Sequence, residues 1–168
     1  MTTTTYTKRG EVHTIGRTGE HPVEYGYYDD GTVQWVDDGL DNRTSFTYDN
    51  RGRREHRTDP NLEVWVTDYN PAGELASETD PLSRSTTYSY DDAGRLEQTV
   101  DPSGRSTTNV WHTDGLLDST SSTDGTNTLV TDHTYDAATG RLTATTIGAD
   151  TWTYAYHANG DLKSVGVS

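Results

Sequence analysis

The side chains in this chain best suited to proton transfer or ligation are six histidines, at positions 13, 21, 56, 112, 133 and 157. They are scattered, and no Ser-His-Asp or phosphate-loop signature accompanies them. His112 and His157 directly follow the aromatics Trp111 and Tyr156, where comparable stretches carry Asp or Asn, so they read as turn residues before they read as ligands. The run Asp37-Asp38-Gly39-Leu40-Asp41-Asn42 has the oxygen donors of a calcium loop but lacks its full spacing and its terminal bidentate Glu. Paired carboxylates can hydrolyse a glycosidic bond, yet with 27 acids some pair reaches the needed separation by chance. Asn42-Arg43-Thr44 matches a glycosylation sequon, one match in a Thr-rich chain. Tyr and Trp on a sheet face can stack on sugar rings, and Trp152 is the candidate ligand-facing ring. No catalytic, cofactor-binding or metal-binding residue is assigned, and no cofactor is expected.

The elements that would position any such group are periodic. Aromatics followed closely by glycine recur as Tyr6, Tyr28, Tyr48, Tyr69, Tyr90, Trp111, Tyr135 and Tyr156, in steps of 22, 20, 21, 21, 21, 24 and 21 residues. The matching glycines are Gly10, Gly31, Gly52, Gly73, Gly94, Gly115, Gly140 and Gly160. Residues 1–5 form a polar lead-in, and 6–168 hold eight tandem repeats of about 21 residues, the last incomplete. The one enlarged step falls in the segment from Asp124 to Asp132. A longer loop there is a place where binding is added, or simple loop drift.

Each repeat carries two turn signals. Asp91-Asp92-Ala93-Gly94 puts Asp first and Gly fourth in a type I turn, the three-residue hairpin loop with a left-handed Gly and a bulge. That geometry predicts Asp91 across from Arg95, Tyr90 across from Leu96 and Tyr88 near Gln98. Tyr88, Tyr90, Leu96 and Val100 would then share one face. The Asp and Arg opposition is expected again at Asp49 with Arg53 and at Asp136 with Arg141. Asp101-Pro102-Ser103-Gly104 is the second signal, with Asp59-Pro60 and Asp80-Pro81 at the same phase; it would return the chain to the next aromatic. Two strands and two turns per repeat make a continuous antiparallel meander.

The pattern Tyr-Asp-x-x-Gly-Arg-Leu, then Asp-Pro-x-Gly, then Thr-x-Tyr-x-Tyr-Asp resembles the YD repeat of Rhs-repeat proteins. The nearest copies are Tyr48 to Arg54, Tyr90 to Leu96 and Tyr135 to Leu142, and the resemblance spans about residues 6 to 162. That family includes bacterial polymorphic toxins, insecticidal toxin complexes, wall-associated contact-inhibition proteins and teneurins. The resemblance implies an all-β fold in which the meander curves or spirals into a hollow shell. Closed shells take many more repeats, so about sixteen strands imply an open arc of roughly 75 Å, a shell fragment. No self-cleaving core domain or toxin tail is recognised after the repeats.

Composition agrees with a β-rich, acidic, aromatic-cored chain. Leu, Ile, Val and Phe number only 24 of 168 residues and the net charge is −14, but 11 Tyr and 4 Trp supply large side chains. The absence of cysteine excludes disulfides and thiolate metal sites. The acidity argues against nucleic-acid partners. No apolar run spans a bilayer and no signal-peptide core follows Met1, which leaves export by another route or a fragment of a larger exported protein, secreted or at the cell surface. Lys8 and Lys163, the two lysines, lie near the chain ends, where they would blunt sheet edges. Three functions stay open. First is a structural, non-enzymatic module that self-associates edge to edge or belongs to a larger Rhs-type protein. Second is a binding module for a glycan or cell-surface receptor, and third a hydrolase.

Overall fold

The computed structural model describes residues 1–40 and 42–168, and they form two compact units, Met1–Ser85 and Thr86–Ser168. The N-terminal unit is an antiparallel meander of β1 (Thr2–Tyr6), β2 (Val12–Arg17), β3 (Val23–Tyr27), β4 (Val33–Asp37), β5 (Arg43–Tyr48), β6 (Arg54–Thr58), β7 (Val64–Tyr69) and β8 (Leu75–Thr79). The C-terminal unit continues the pattern with β9 (Ser85–Tyr90), β10 (Leu96–Val100), β11 (Ser106–Trp111), β12 (Leu117–Thr123), β13 (Thr128–Tyr135), β14 (Leu142–Ile147), β15 (Asp150–Tyr156) and β16 (Leu162–Val167). Thr2–Thr5, expected to be a lead-in, is strand: Thr3 faces Gly16 and Thr4 faces Ile15. Its β-branched residues suit a pleated ladder.

Both turn types turn out to be one device. At Asp91 the Gly94 N–H donates to the Asp91 carbonyl and the Asp91 N–H to the Arg95 carbonyl, both at 2.9 Å. Asp101 makes the same pair of bonds with Gly104 and Arg105, and Asp80 with Ser83 and Arg84. The Asp-Pro corner is therefore the same three-residue loop as the Asp-x-x-Gly corner. Its fourth position requires a left-handed backbone: Gly94 has φ 76° and Gly104 84°. Two Asp-Pro corners fill that position without glycine, Leu62 at φ 67° and Ser83 at φ 61°.

The hairpins differ from their expected register in one respect. Leu96 does face Tyr90, but Gln98 faces Ser89, Thr99 faces Tyr88 and Val100 faces Thr87. Glu97 is an extra residue, a β-bulge, so Tyr88 lies opposite Thr99 rather than Gln98 and Val100 is displaced from the tyrosine side. The slip recurs in every repeat: between Leu117 and Ser119, Arg54 and His56, Leu142 and Ala144, and at the equivalent place in the others. A bulge at constant phase cannot be read from hydrophobic alternation, because it adds a residue without a Gly or Pro to mark it.

The expected aromatic core is also revised. Among the described residues no apolar side chain is buried, and Asp37, at 9% exposure, is the single buried polar one. Apart from the exposed Tyr6 and Trp65, the tyrosine and tryptophan rings are half-buried. The enlarged repeat step lengthens strands rather than a loop: β12 and β13 run seven and eight residues, joined by the short turn Asp124–Asn127.

Two substitutions test the turn. Leu62→Gly removes a left-handed Leu that is 80% exposed and is expected to raise unfolding free energy by about 1 kcal/mol. Gly94→Val is expected to lower it by about 1–3 kcal/mol, both read from urea unfolding.

Candidate functional site: the clamp between repeats

Within a hairpin the ladder runs up to the aromatic, but between hairpins it stops at the bulge. Pairing of β4 with β5 covers Trp35, Val36 and Asp37 only, and pairing of β6 with β7 begins at His56. The residues before the bulge, Val33 and Arg54, lie outside those inter-hairpin ladders, and a carbonyl left there needs a donor. The next repeat supplies it. Tyr48 Oη donates to the Val33 carbonyl at 2.8 Å, Tyr69 Oη to Arg54 at 3.2 Å, Tyr135 Oη to Leu117 at 2.9 Å and Tyr156 Oη to Leu142 at 2.8 Å. Trp111 does the same with its indole N–H, 3.0 Å from the Leu96 carbonyl. Burial pushes the Tyr48 and Tyr135 phenols up.

In the second repeat this role belongs to Tyr27, whose Oη lies 2.7 Å from the Val12 carbonyl and which faces Val33 in its hairpin. The assignment of Tyr28 as the aromatic anchor is thus corrected. Tyr28 occupies the turn position held elsewhere by Asp49, Asn70 and Asp91, and its N–H bonds the Thr32 carbonyl. With Tyr27 in place the early steps become 21 residues each. Two adjacent tyrosines hid the phase, and the ladder register separates them: Tyr27 faces Val33, whereas Tyr28 lies in the turn and donates its hydroxyl to the Phe46 carbonyl at 3.0 Å. Tyr6, 63% exposed, and Tyr90 close their own hairpins opposite Val12 and Leu96.

A guanidinium covers the clamp. Arg53 lies 4.2 Å from the centroid of Tyr69, Arg95 5.5 Å from Trp111 and Arg141 5.7 Å from Tyr156. Each Arg follows a turn glycine and stacks on the aromatic of the following repeat. Arg53 and Arg95 are in turn fixed by the turn aspartates: Arg53 Nη2 is 2.6 Å from Asp49 and Arg95 Nη2 2.7 Å from Asp91. Asp80 holds Arg84 likewise, at 2.6 Å. At the one-residue-longer loop the backbone still pairs Asp136 with Arg141, but the Asp136 carboxylate accepts from Thr139 instead.

These contacts set the acid response. The Arg95 side chain, then the Arg95 and Ala93 N–H groups, hold the Asp91 carboxyl below its usual range. Arg84 does so for Asp80, the Arg53 N–H and side chain for Asp49, and Thr139 for Asp136. A carboxyl depressed in the folded state stabilises above its unfolded value and loses that contribution as pH falls through the folded one.

Of the other singled-out residues, His112 and His133 come together around Tyr135, their ring centroids 6.2 and 6.5 Å from it, and line one cavity with Asp114, Asp118 and Asp136. His112 and His157 are turn residues, donating N–H groups to Leu116 and Asp161, and His112 Nε2 lies 3.1 Å from Asp118. His133 pairs with Thr145. Trp152 is half-buried, opposite Thr145 and Val167. In the proposed calcium loop Asp41 lies outside the described residues, while Asp37 bonds the Gly39 N–H and Asp38 bonds Leu40 and Asn42. Among the described residues no group of three or more metal-ligating side chains converges.

The RHS Repeat family model matches residues 69–106. No curated protein matches the chain. Solved structures that align include TcdB2-TccC3-Cdc42, at 13% identity, and TcdB2-TccC3 without its hypervariable C-terminal region, at 12%. Each alignment covers 99% of this chain and 14% of the other, with TM-score 0.39. The chain therefore spans about one seventh of the length of those proteins.

Two measurements follow from the clamp. Tyr48→Phe deletes one donor and is expected to cost about 0.5–1.5 kcal/mol in urea unfolding, with secondary structure by circular dichroism unchanged. Melting temperature is expected to hold from pH 7 to about pH 5 and to fall below about pH 4, where the turn aspartates protonate; a profile flat to pH 2 would contradict the sign of the Asp shifts.

Proposed function

The chain carries an RHS repeat, and from that we propose that it is a structural, non-enzymatic wall segment of a larger, toxin-associated and exported repeat protein. The observation that carries this reading is that the polar side chains at repeat phase are consumed in holding repeats together. The turn aspartates bind their own loops and arginines, the tyrosines bind backbone, and the arginines cover the tyrosines. A chain that spends its acids and phenols in this way, in copy after copy, is built to extend.

Extension is through strand edges. Residues of β1 and of β16 are exposed throughout, and β16 presents Leu162, Val165 and Val167 at 54%, 50% and 67% exposure. Unpaired edges accept a further strand, either from flanking repeats of the longer protein or from a second copy. Lys163, on β16, limits this pairing without removing it.

Light scattering on the 168-residue chain across a concentration series tests this. Mass rising with concentration, with elongated particles in electron micrographs, is the expected result. A chain that remains monomeric at millimolar concentration contradicts the edge-pairing reading.

A further inference from the structure

One repeat breaks the pattern of its neighbours. At the ladder position just inside the bulge, the facing residues are small or polar pairs: Thr5 with Thr14, Thr47 with His56 and Asp68 with Ser77. Each of those pairs is joined by a side-chain hydrogen bond, of 2.7, 3.1 and 2.9 Å. The second repeat has Gly26 facing Trp35 instead. The indole lies over the bare glycine, so that a Cβ at position 26 would overlap it. Arg43 sits 3.8 Å from the Trp35 ring centroid and fixes the ring from its own strand. No other repeat places an aromatic ring over a bare glycine at this position; the remaining pairs are Ser89 with Gln98, Val110 with Ser119, Thr134 with Ala144 and Ala155 with Ser164.

The substitution shapes a cleft. Trp35 and Gly26 line a cavity of about 430 Å³ together with Tyr25, Tyr27 and Tyr28. Its rim is bridged by Arg9, which donates to the Asp29 carboxylate at 3.0 Å and to the Asp29 carbonyl at 2.8 Å. Glu11, accepting from the Thr7 hydroxyl, and the exposed His13 complete the polar lining. Trp35 is held between Gly26 and Arg43 and forms the floor, Tyr25, Tyr27 and Tyr28 supply further aromatic lining, and Lys8, Arg9, Glu11, Asp29 and His13 offer donors and acceptors with balanced charge. That combination suits a ligand with apolar C–H faces and many hydroxyls.

We propose that this cleft binds a neutral saccharide of roughly one or two pyranose rings, a size its volume accommodates. The site is carried by the N-terminal unit alone and does not depend on edge pairing.

Saturation-transfer NMR with the intact chain and two disaccharides, maltose and N,N′-diacetylchitobiose, tests the assignment. Saturation is expected to reach the ring protons of at least one of them. The paired change Gly26→Thr with Trp35→His installs the Thr47–His56 pair of the following repeat, and is expected to abolish transfer while circular dichroism stays that of the parent. A second variant, Arg9→Gln at the exposed rim, is expected to weaken binding about fivefold. The proposal is overturned if neither sugar receives saturation. It is equally overturned if Arg9→Gln, or the folded double variant, binds as the parent does.

Discussion

The structure depends on a backbone carbonyl that its own ladder leaves out. A bulge in each hairpin carries the strand out of register, and inter-hairpin pairing stops there. An orphaned carbonyl on a half-covered sheet costs free energy unless a donor reaches it. The ring of the next repeat is long enough to reach and ends in the needed donor. Tyr serves with a phenol and Trp111 with an indole N–H. One repeat thus completes its neighbour, and the sheet grows by a contact that no repeat can make alone.

This arrangement explains how an acidic chain holds together when none of its described apolar side chains is buried. Stability is distributed over half-buried rings, guanidinium stacking and turn carboxylates rather than gathered in an interior. Individual exposed ion pairs of this sort contribute little. Here, however, the same Arg is held by a carboxylate on one side and covers a ring on the other, so a single side chain joins the turn of one repeat to the anchor of the next. The deficit of aliphatic residues therefore agrees with an ordered fold. The excess of Asp is explained by the turns, where it accepts N–H bonds that would otherwise go unmet.

Much of this was legible in the sequence. Turn glycines at fixed phase and the opposed Asp and Arg marked the hairpins, because left-handed backbone and loop hydrogen bonds demand particular residue types. The bulge one residue past Leu96 was not legible, since its counterparts Ala76, Glu97 and Lys163 share nothing chemically. Without it, Val100 was placed on the wrong side and the tyrosines were read as core rather than as donors. Tyr27 was masked by its neighbour Tyr28, and the Asp-Pro corner looked like a different turn because proline changes the residue pattern without changing the loop. The Gly26 and Trp35 cleft is not legible in the sequence, because it shows only once the ladder register aligns the repeats residue by residue.

The central claim is that the stacked Arg and the aromatic of the following repeat act as one clamp. A double-mutant cycle on Arg53→Ala and Tyr69→Leu, followed by urea unfolding, measures that coupling directly. The account predicts an interaction free energy of about 0.5–2 kcal/mol, favourable in the parent. Strictly additive effects of the two changes would contradict it.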